Sequence, residues 1–297
     1  MSTPIVGTPT TPTISPSFAA QLTPDSAIPK LRPRLSVSIE GLDKTGKTYW
    51  ALMTAPDPIA LVTNDPGTQR IVELARAKGR VIHQLVLNWE APAKLSKSAS
   101  EINKEEWSRW IDTWNRYNKF AQSVLTELSI RSWVTDTETD TWHLGELAYF
   151  GKGAGNSNQD ARTKLNFVYQ DLYWDLYKRR PDINLILIHR LKKKYIKTNT
   201  RNPDAPADWN GEYETDDFNR VAFLVDLTLR MEWDKDRKDF VSYLDPNKAF
   251  RYYSSDNAHI LSKRWYGQQP ADPSAFWNLG MEVFPETVDT PEIWGVD

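Results

Sequence analysis

The sequence contains no cysteine, only four histidines and no long apolar segment, and each absence excludes a class of protein. Without cysteine there is no disulfide framework, thiolate metal site or cysteine nucleophile. Four scattered histidines argue against a zinc centre. No apolar run approaches the roughly 20 residues that span a bilayer, and the N-terminus lacks the basic and apolar regions of a secretory signal. We therefore expect a soluble, cytoplasmic protein with no membrane partner.

An excess of charge of one sign is also missing, because the 297 residues carry 37 basic and 39 acidic side chains. This balance excludes a uniformly basic nucleic-acid coat, but a local basic surface remains compatible with it. Residues 1–34 differ from the rest in composition, since seven prolines, six threonines and four serines fill half of the positions. We expect a disordered tail over residues 1–34 and one folded domain over residues 35–297.

Apolar periodicity along the folded domain alternates between strand and helix patterns. Strands are predicted at 35–39, 59–63, 81–87, 131–136 and 185–188, and helices at 47–55, 69–78, 103–128 and 161–178. Segments 225–233 and 240–244 flank a turn and predict a β-hairpin. Trp107, Trp110 and Trp114 have helical spacing, which is typical of core packing. Alternating strands and helices indicate a three-layer α/β fold with a mainly parallel central sheet.

The most specific motif lies between the first strand and the first helix. Residues 41–48 match the phosphate-binding pattern G-x-x-x-x-G-K-[ST] at every position. The glycines let backbone N–H groups surround phosphate oxygens, and the helix N-terminus adds positive partial charge. We expect Lys47 to reach the β- and γ-phosphates and Thr48 to ligate Mg²⁺. The predicted nucleotide-binding residues are Gly41, Leu42, Asp43, Lys44, Thr45, Gly46, Lys47 and Thr48.

A nucleotide hydrolase also needs an acid for Mg²⁺ and a group that positions the attacking water. Asp136 ends a predicted strand and is the expected Mg²⁺ ligand. Glu138 is a catalytic candidate, and a place in a solvated loop is the alternative. Asp65 could face the γ-phosphate, or it could only form an Asp-Pro-Gly turn. His189 follows the strand 185–188 and could sense the γ-phosphate or be structural.

Charges are segregated in the segment that follows His189. Six bases with no acid among them lie at positions 190–201, and six acids with no base lie at 204–217. The basic stretch, which includes Tyr195, predicts a loop that contacts phosphates and stacks on bases. Pairing of the two charged blocks with each other is the alternative. The predicted nucleic-acid contacts are Arg190, Lys192, Lys193, Lys194 and Lys197, with Lys152 from a glycine-rich loop.

These motifs resemble the RecA-like P-loop ATPases of phages, the AAA-type group that includes single-strand annealing proteins. The resemblance spans about residues 35–285 and rests on segments 39–48, 65–67, 134–137, 187–189, 225–230 and 263–265. It implies ATP and Mg²⁺ as ligands, single-stranded DNA as a partner in recombination, annealing or replication, and a homo-oligomeric ring or filament with ATP between subunits. An arginine from a neighbouring subunit often completes such a site, and Arg230 and Arg251 are candidates.

Two other interpretations remain open. Residues 39–48 also resemble the P-loop of thymidylate kinases, although the acceptor motif and the arginine-rich lid of those nucleoside monophosphate kinases do not occur at the expected places. The third interpretation is a nucleotide-switched assembly factor that binds ATP and hydrolyses it negligibly. The motif order favours the ATPase, which would act in the host cytoplasm if a phage encodes it.

Overall fold

The computed structural model describes residues 34–89, 104–151, 159–196, 208–215, 225–235, 239–244, 276 and 278–280. All of them belong to one unit of the chain, Pro33–Asp297. Several predictions fall outside the described residues: the tail up to residue 33, Lys152, Lys197, Arg251 and the segment 263–265.

The described residues include eight strands and five helices. The strands are β1 (Ser36–Gly41), β2 (Ile59–Thr63), β3 (Ile82–Val86), β4 (Ser132–Asp136), β5 (Asn184–Ile196), β6 (Asp208–Thr215), β7 (Leu227–Asp234) and β8 (Asp239–Leu244). The helices are α1 (Lys47–Thr54), α2 (Thr68–Ala77), α3 (Lys104–Thr126), α4 (Glu138–Phe150) and α5 (Gln159–Arg179). None of the helices in these parts of the chain is long and apolar enough to cross a membrane.

The strands form a mostly parallel sheet in the order β3-β2-β4-β5-β1-β7-β8, with β6 paired to the outer half of β5. Pairing is parallel from β3 to β7, and antiparallel for β5 with β6 and for β7 with β8. The predicted α/β class is therefore confirmed. Because parallel strands share one carboxyl edge, β1, β2 and β4 end on the same side of the sheet, and β5 extends beyond that edge after Arg190.

A hydrophobic core lies on each face of the sheet, and β5 contributes to both. Leu185 and Leu187 pack into the first core, whereas Ile186 and Ile188 pack into the second. This alternation follows from the two-residue period of a strand. Burying each such side chain stabilises the fold by about 1.5–3 kcal/mol. The buried strands thereby fix the positions at which the loops at the carboxyl edge begin.

Core packing is confirmed for two of the three predicted tryptophans, and the third is partly exposed. Trp110 and Trp114 are buried in the first core. Trp107 is 41% exposed, and its indole N–H donates to the carbonyl oxygen of Ala148 at 3.0 Å. It lies at the solvent edge of the helix pair formed by α3 and α4, where one side of the ring remains in water.

Residues 138–150 form α4, a helix that the apolar pattern did not predict. Thr137 caps its N-terminus by accepting a hydrogen bond from the Asp140 backbone N–H at 3.3 Å. A threonine three residues before an acid is a capping signal that the sequence does contain. Glu138 is therefore the first helical residue rather than part of a solvated loop.

The prediction of a basic loop after His189 is wrong for residues 190–196, which belong to a strand. β5 continues through Ile196, and its outer half pairs with β6, from Leu191 opposite Thr215 to Ile196 opposite Asp208. The lysine run is a strand because β6 supplies both an antiparallel backbone partner and acidic side chains. At the other end of the sheet, β7 and β8 pair as the hairpin prediction requires, but residues 236–238 lie outside the described residues, so the turn stays a prediction.

Candidate nucleotide-binding site

An open cavity of about 320 Å³ lies at the carboxyl edge of the sheet. The loop at residues 41–48 forms one wall, and the segment that follows β2, the end of β4 and Arg190 of β5 form the others. The side chains that matter for chemistry here are Lys47, Thr48, Asp65, Thr68, Asp136 and Arg190. The parallel sheet thus brings most of the predicted phosphate and metal residues to one place.

Two glycines are required by the geometry of the phosphate-binding loop. Gly46 caps α1 with φ of 86°, in the left-handed region that favours glycine. A Cβ at Gly41 would lie 2.6 Å from the carbonyl oxygen of Met231 and 2.6 Å from Thr45 Oγ1. The Met231 oxygen belongs to the backbone of β7 and cannot rotate away. Glycine is therefore needed where β1 passes β7 and turns into the loop.

Lys47 lies at the phosphate-binding position with its ammonium group folded over the loop. Its Nζ donates to the carbonyl oxygens of Gly41 at 2.8 Å and Leu42 at 2.7 Å. Burial lowers the pKa of Lys47, and the nearby charge of Arg190 lowers it further, while Asp136 and Asp43 oppose the shift. The pocket therefore holds a cation whose charge is incompletely compensated. An anionic phosphate would supply the missing compensation.

Asp136 connects the phosphate-binding loop to the end of β4. Its Oδ2 accepts hydrogen bonds from Thr48 Oγ1 at 2.9 Å and from Thr68 Oγ1 at 2.6 Å. Burial raises the pKa of this carboxyl group, and the two threonine hydroxyls oppose that rise. Thr68 was not predicted, although it begins the helix after β2 and so lies at the same sheet edge.

The residues around Asp136 fit a magnesium ion. The Thr48 hydroxyl and the Asp136 carboxylate are both hard oxygen donors that line the cavity. Mg²⁺ is usually held by one or two protein oxygens together with phosphates and waters. Among the residues that the structure describes, no group of three or more His, Cys, Asp or Glu could hold a metal ion. Thr48 and Asp136 are thus the two protein oxygen donors that could hold a magnesium ion beside a phosphate.

Asp65 lines the cavity and also forms a turn, so the two interpretations of this residue are compatible. Its Oδ1 accepts a hydrogen bond from the Gly67 backbone N–H at 2.8 Å, which fixes the Asp-Pro-Gly turn. Its negative charge raises the pKa of Asp136 and opposes the lowering at Lys47. The turn thus holds a carboxylate at the wall of the cavity.

Glu138 is not brought to the cavity. It is completely buried, and its two carboxylate oxygens accept from the hydroxyl of Tyr173 at 3.0 and 2.8 Å. Burial, and after it the negative charge of Glu138, raise the pKa of Tyr173 and Tyr169 well above the ordinary tyrosine value. The carboxylate therefore faces buried tyrosines on the first-core side of the sheet.

His189 and Arg190 occupy different surroundings although they are adjacent. His189 is completely buried at the register position opposite Glu40. Arg190 lines the cavity, and its guanidinium forms a fork on Asp140, with Nη1–Oδ1 at 3.2 Å and Nη2–Oδ2 at 3.0 Å. The assignment of Arg190 to a nucleic-acid loop therefore needs correction, because Arg190 lies within β5 and its side chain lines the cavity.

Arg230 is not exposed to a neighbouring subunit. It lies on β7, and its Nη2 is 3.2 Å from Glu40 Oε2 on β1, with both side chains largely buried. Thr215 Oγ1 donates to the other carboxylate oxygen of Glu40 at 2.7 Å. This pair joins β1, β6 and β7 inside the fold, so Arg230 does not fit the role of a trans-acting arginine.

Residues 191–196 and 208–215 form a two-stranded ribbon with two different faces. One face carries Lys193, Tyr195, Trp209 and Tyr213. The Trp209 and Tyr213 rings are 5.8 Å apart, and Lys193 Nζ lies 4.8 Å from the Trp209 ring centre. Tyr195 is 57% exposed and Trp209 46% exposed. The ribbon therefore presents aromatic rings to solvent, a surface that the sequence indicated only through Tyr195.

The opposite face of the ribbon carries ion pairs. Lys194 Nζ lies 2.8 Å from Glu212 Oε2, and Lys192 Nζ lies 3.8 Å from Glu214 Oε1. Pairing of the basic and acidic blocks, the alternative left open by the sequence, is thus observed at these two positions. Both pairs are largely exposed, so they break at low cost when a competing anion binds.

Comparison with models of known protein families gave no match, and comparison with curated proteins gave none either. Function is therefore inferred from the geometry of the cavity and the ribbon.

Proposed function

We propose that this protein is a Mg²⁺-dependent ATPase with a RecA-like core that binds single-stranded DNA. The observation that carries the proposal is the 2.9 Å contact between Thr48 Oγ1 and Asp136 Oδ2, beside the buried ammonium group of Lys47. A glycine-containing loop alone would bind an anion. A hydroxyl and a carboxylate beside that loop add the metal ligands that triphosphate chemistry needs.

The strand order supports the RecA-like part of the proposal. β5 lies between β1, which leads into the phosphate-binding loop, and β4, which ends in Asp136. The loop after β1, Asp136 of β4 and Arg190 of β5 therefore line the same cavity. A ring or filament belongs to the same proposal, because RecA-like ATPases place ATP between subunits.

In the proposed reaction, water attacks the γ-phosphorus. A new phosphorus–oxygen bond forms while the bond to the bridging oxygen breaks, the electron pair stays on ADP, and the proton of the water passes to a base or to solvent. Lys47 and the loop N–H groups bind the phosphates, and Asp65 orients the water. Thr48 and Asp136 would hold Mg²⁺, which supplies charge neutralisation at the phosphate oxygens.

The aromatic face of the ribbon supports the DNA-binding part of the proposal. Stacking of a base on an exposed aromatic ring contributes about 1–3 kcal/mol and tolerates any sequence. Tyr195 and Trp209 offer such rings, and Lys193 offers a cation for the backbone. Since Lys192 and Lys194 are paired with glutamates, we propose that stacking contributes more than phosphate contacts.

ATP turnover with and without single-stranded DNA tests the proposal. We expect DNA-stimulated turnover that falls at least about 100-fold in Lys47→Ala, since the ammonium group that binds the phosphates is lost. Lys119→Ala removes an exposed lysine of α3 and is the matched control, with unchanged turnover expected. Transfer of phosphate to a nucleoside monophosphate without a DNA effect would select the kinase. ATP binding without turnover would select the switch, and the absence of nucleotide binding would overturn all three.

A further inference from the structure

We infer that Arg190 is a cis-acting cation of this site, held by Asp140 and transferred to the terminal phosphate when a nucleoside triphosphate binds. The inference rests on the proposed function, and it assigns a role to a residue that the sequence placed in a nucleic-acid loop. The observation behind it is a guanidinium group that lines the phosphate cavity and is already engaged with a carboxylate beside it.

The backbone of Arg190 is held between β1 and the N-terminus of α4. In the sheet register Arg190 is opposite Gly41, the first residue of the phosphate-binding loop. Its backbone N–H points to Thr139 Oγ1 at 3.5 Å, in the first turn of α4. Parallel pairing on one side and a helix N-terminus on the other leave the side chain as the mobile part.

The side chain is positioned so that a phosphate can compete for it. Its fork on Asp140 uses two parallel N–H donors, the same geometry with which arginine binds a phosphate. The Arg190 side chain is 42% exposed, whereas that of Asp140 is 16% exposed. Arg190 can therefore rotate toward the cavity while Asp140 stays on α4.

Electrostatics in the cavity favour this exchange. Without an anion, Arg190 and Lys47 are two cations that line one cavity. A terminal phosphate would attract both cations, and it carries more negative charge than the Asp140 carboxylate. ADP lacks that phosphate, so Arg190 is expected to remain on Asp140 in the ADP complex.

The chemical role of Arg190 is electrostatic. As the bond between the γ-phosphorus and the bridging oxygen breaks and its electron pair moves to ADP, a preorganised guanidinium stabilises the developing negative charge. Arg190 donates hydrogen bonds and transfers no proton. Asp140 is a positioning residue, because it acts on the phosphate only through Arg190.

The test compares affinities for ADP and for the non-hydrolysable analogue AMP-PNP, both with Mg²⁺, together with ATP turnover. In Arg190→Ala we expect AMP-PNP to bind at least about tenfold more weakly, ADP to bind unchanged and turnover to fall about 1,000-fold. Arg190→Lys keeps the charge but lacks the fork, so it should restore little turnover. Arg109→Ala, on the exposed face of α3, is the matched control.

Asp140→Asn should change the affinity for AMP-PNP in the opposite direction to Arg190→Ala. Weakening the competing carboxylate should make AMP-PNP bind about fivefold more tightly, with unchanged ADP affinity. The gain should vanish in the double variant with Arg190→Ala. An ion pair that only stabilises the fold would instead lower the melting temperature in both variants and leave the ratio of AMP-PNP to ADP affinity unchanged. That result, or full turnover in Arg190→Ala, overturns the inference, whereas failure of the unaltered protein to bind either nucleotide overturns the proposed function.

Discussion

The carboxylate of Asp136 accepts hydrogen bonds from hydroxyl groups rather than from cations, and these surroundings affect its pKa. Thr48 and Thr68 donate to the same oxygen, and Lys47 acts on the group only through space. Burial outweighs these contributions, so the pKa of Asp136 is raised. Removing this carboxylate should therefore affect the stability of the fold as well as the proposed binding of Mg²⁺.

Asp136→Asn should separate the stability of the fold from the function of the site. A raised carboxyl pKa means that the contribution of Asp136 to stability is fully present below the unfolded-state pKa, about 3.9, and is lost as pH rises through the folded-state pKa. Without Mg²⁺ and nucleotide, the asparagine variant should therefore melt higher than the unaltered protein at pH 7, and the gap should close toward pH 4. Melting curves across that range measure the difference.

The same variant should bind Mg²⁺-ATP at least about tenfold more weakly, because the proposed Mg²⁺ ligand is lost. Asparagine still accepts hydrogen bonds from Thr48 and Thr68, so the local packing is retained. A lower melting temperature for the variant at pH 7 without ligands would contradict the sign derived from burial.

Sequence was sufficient for residues whose roles depend on a local motif, and insufficient for those that depend on strand order. Lys47 and Thr48 belong to one contiguous pattern, and Asp136 ends a recognisable strand. Thr68 contacts Asp136 only because β2 lies beside β4, and Arg190 meets the cavity only because β5 lies beside β1. Such neighbours are set by long-range pairing, which periodicity along the chain does not encode.

Among the elements, β5 shows why a charge pattern alone is ambiguous. Residues 184–190 form an interior strand that is apolar from Leu185 to Ile188, whereas residues 191–196 contain three consecutive lysines. Lysine-rich segments are usually solvated, which is why a loop was predicted. The partner strand β6 changes this, because its glutamates lie opposite two of the lysines and its aromatic rings lie on the other face.

The ribbon should bind single-stranded DNA mainly through its aromatic face. We expect Trp209→Ala to weaken binding to an oligothymidylate by about 5- to 100-fold, because one stacking ring is lost. Trp174→Ala removes a tryptophan of similar exposure from α5 and should leave the affinity unchanged. Fluorescence anisotropy measures both. Equal affinities for the two variants would show that the DNA contact lies elsewhere.

The salt dependence of binding separates stacking from phosphate contacts on the same ribbon. Each phosphate contact contributes about −0.7 to the slope of log affinity against log salt for a single strand. Trp209→Ala should leave this slope unchanged, whereas Lys193→Ala should reduce its magnitude by about 0.7. A Trp209 variant with an altered slope would mean that the ring only positions Lys193.

Across the whole molecule, the cavity is assembled from elements that belong to different parts of the fold. α1 and α2 pack on the second core through Trp50 and Val72, whereas α4 packs on the first core through Leu144 and Leu147. The sheet between them contributes Asp136 and the backbone of Arg190. A nucleotide bound in this cavity would contact α1, α2 and the sheet together, and the unfolded chain offers it no equivalent site.

Nucleotide binding should consequently stabilise the entire domain. A ligand that binds only the folded state adds about 2.7 kcal/mol at 100 times its dissociation constant, which corresponds to a rise in melting temperature of about 5–10 °C for a domain of this size. We expect this shift with Mg²⁺-AMP-PNP in the unaltered protein and in Lys119→Ala, and its loss in Lys47→Ala. Trp209→Ala should keep the full shift, because the ribbon lies outside the cavity. If the melting temperature of the Trp209 variant did not rise with Mg²⁺-AMP-PNP, nucleotide binding would depend on the ribbon. The assignment of separate functions to the ribbon and the cavity would then be wrong.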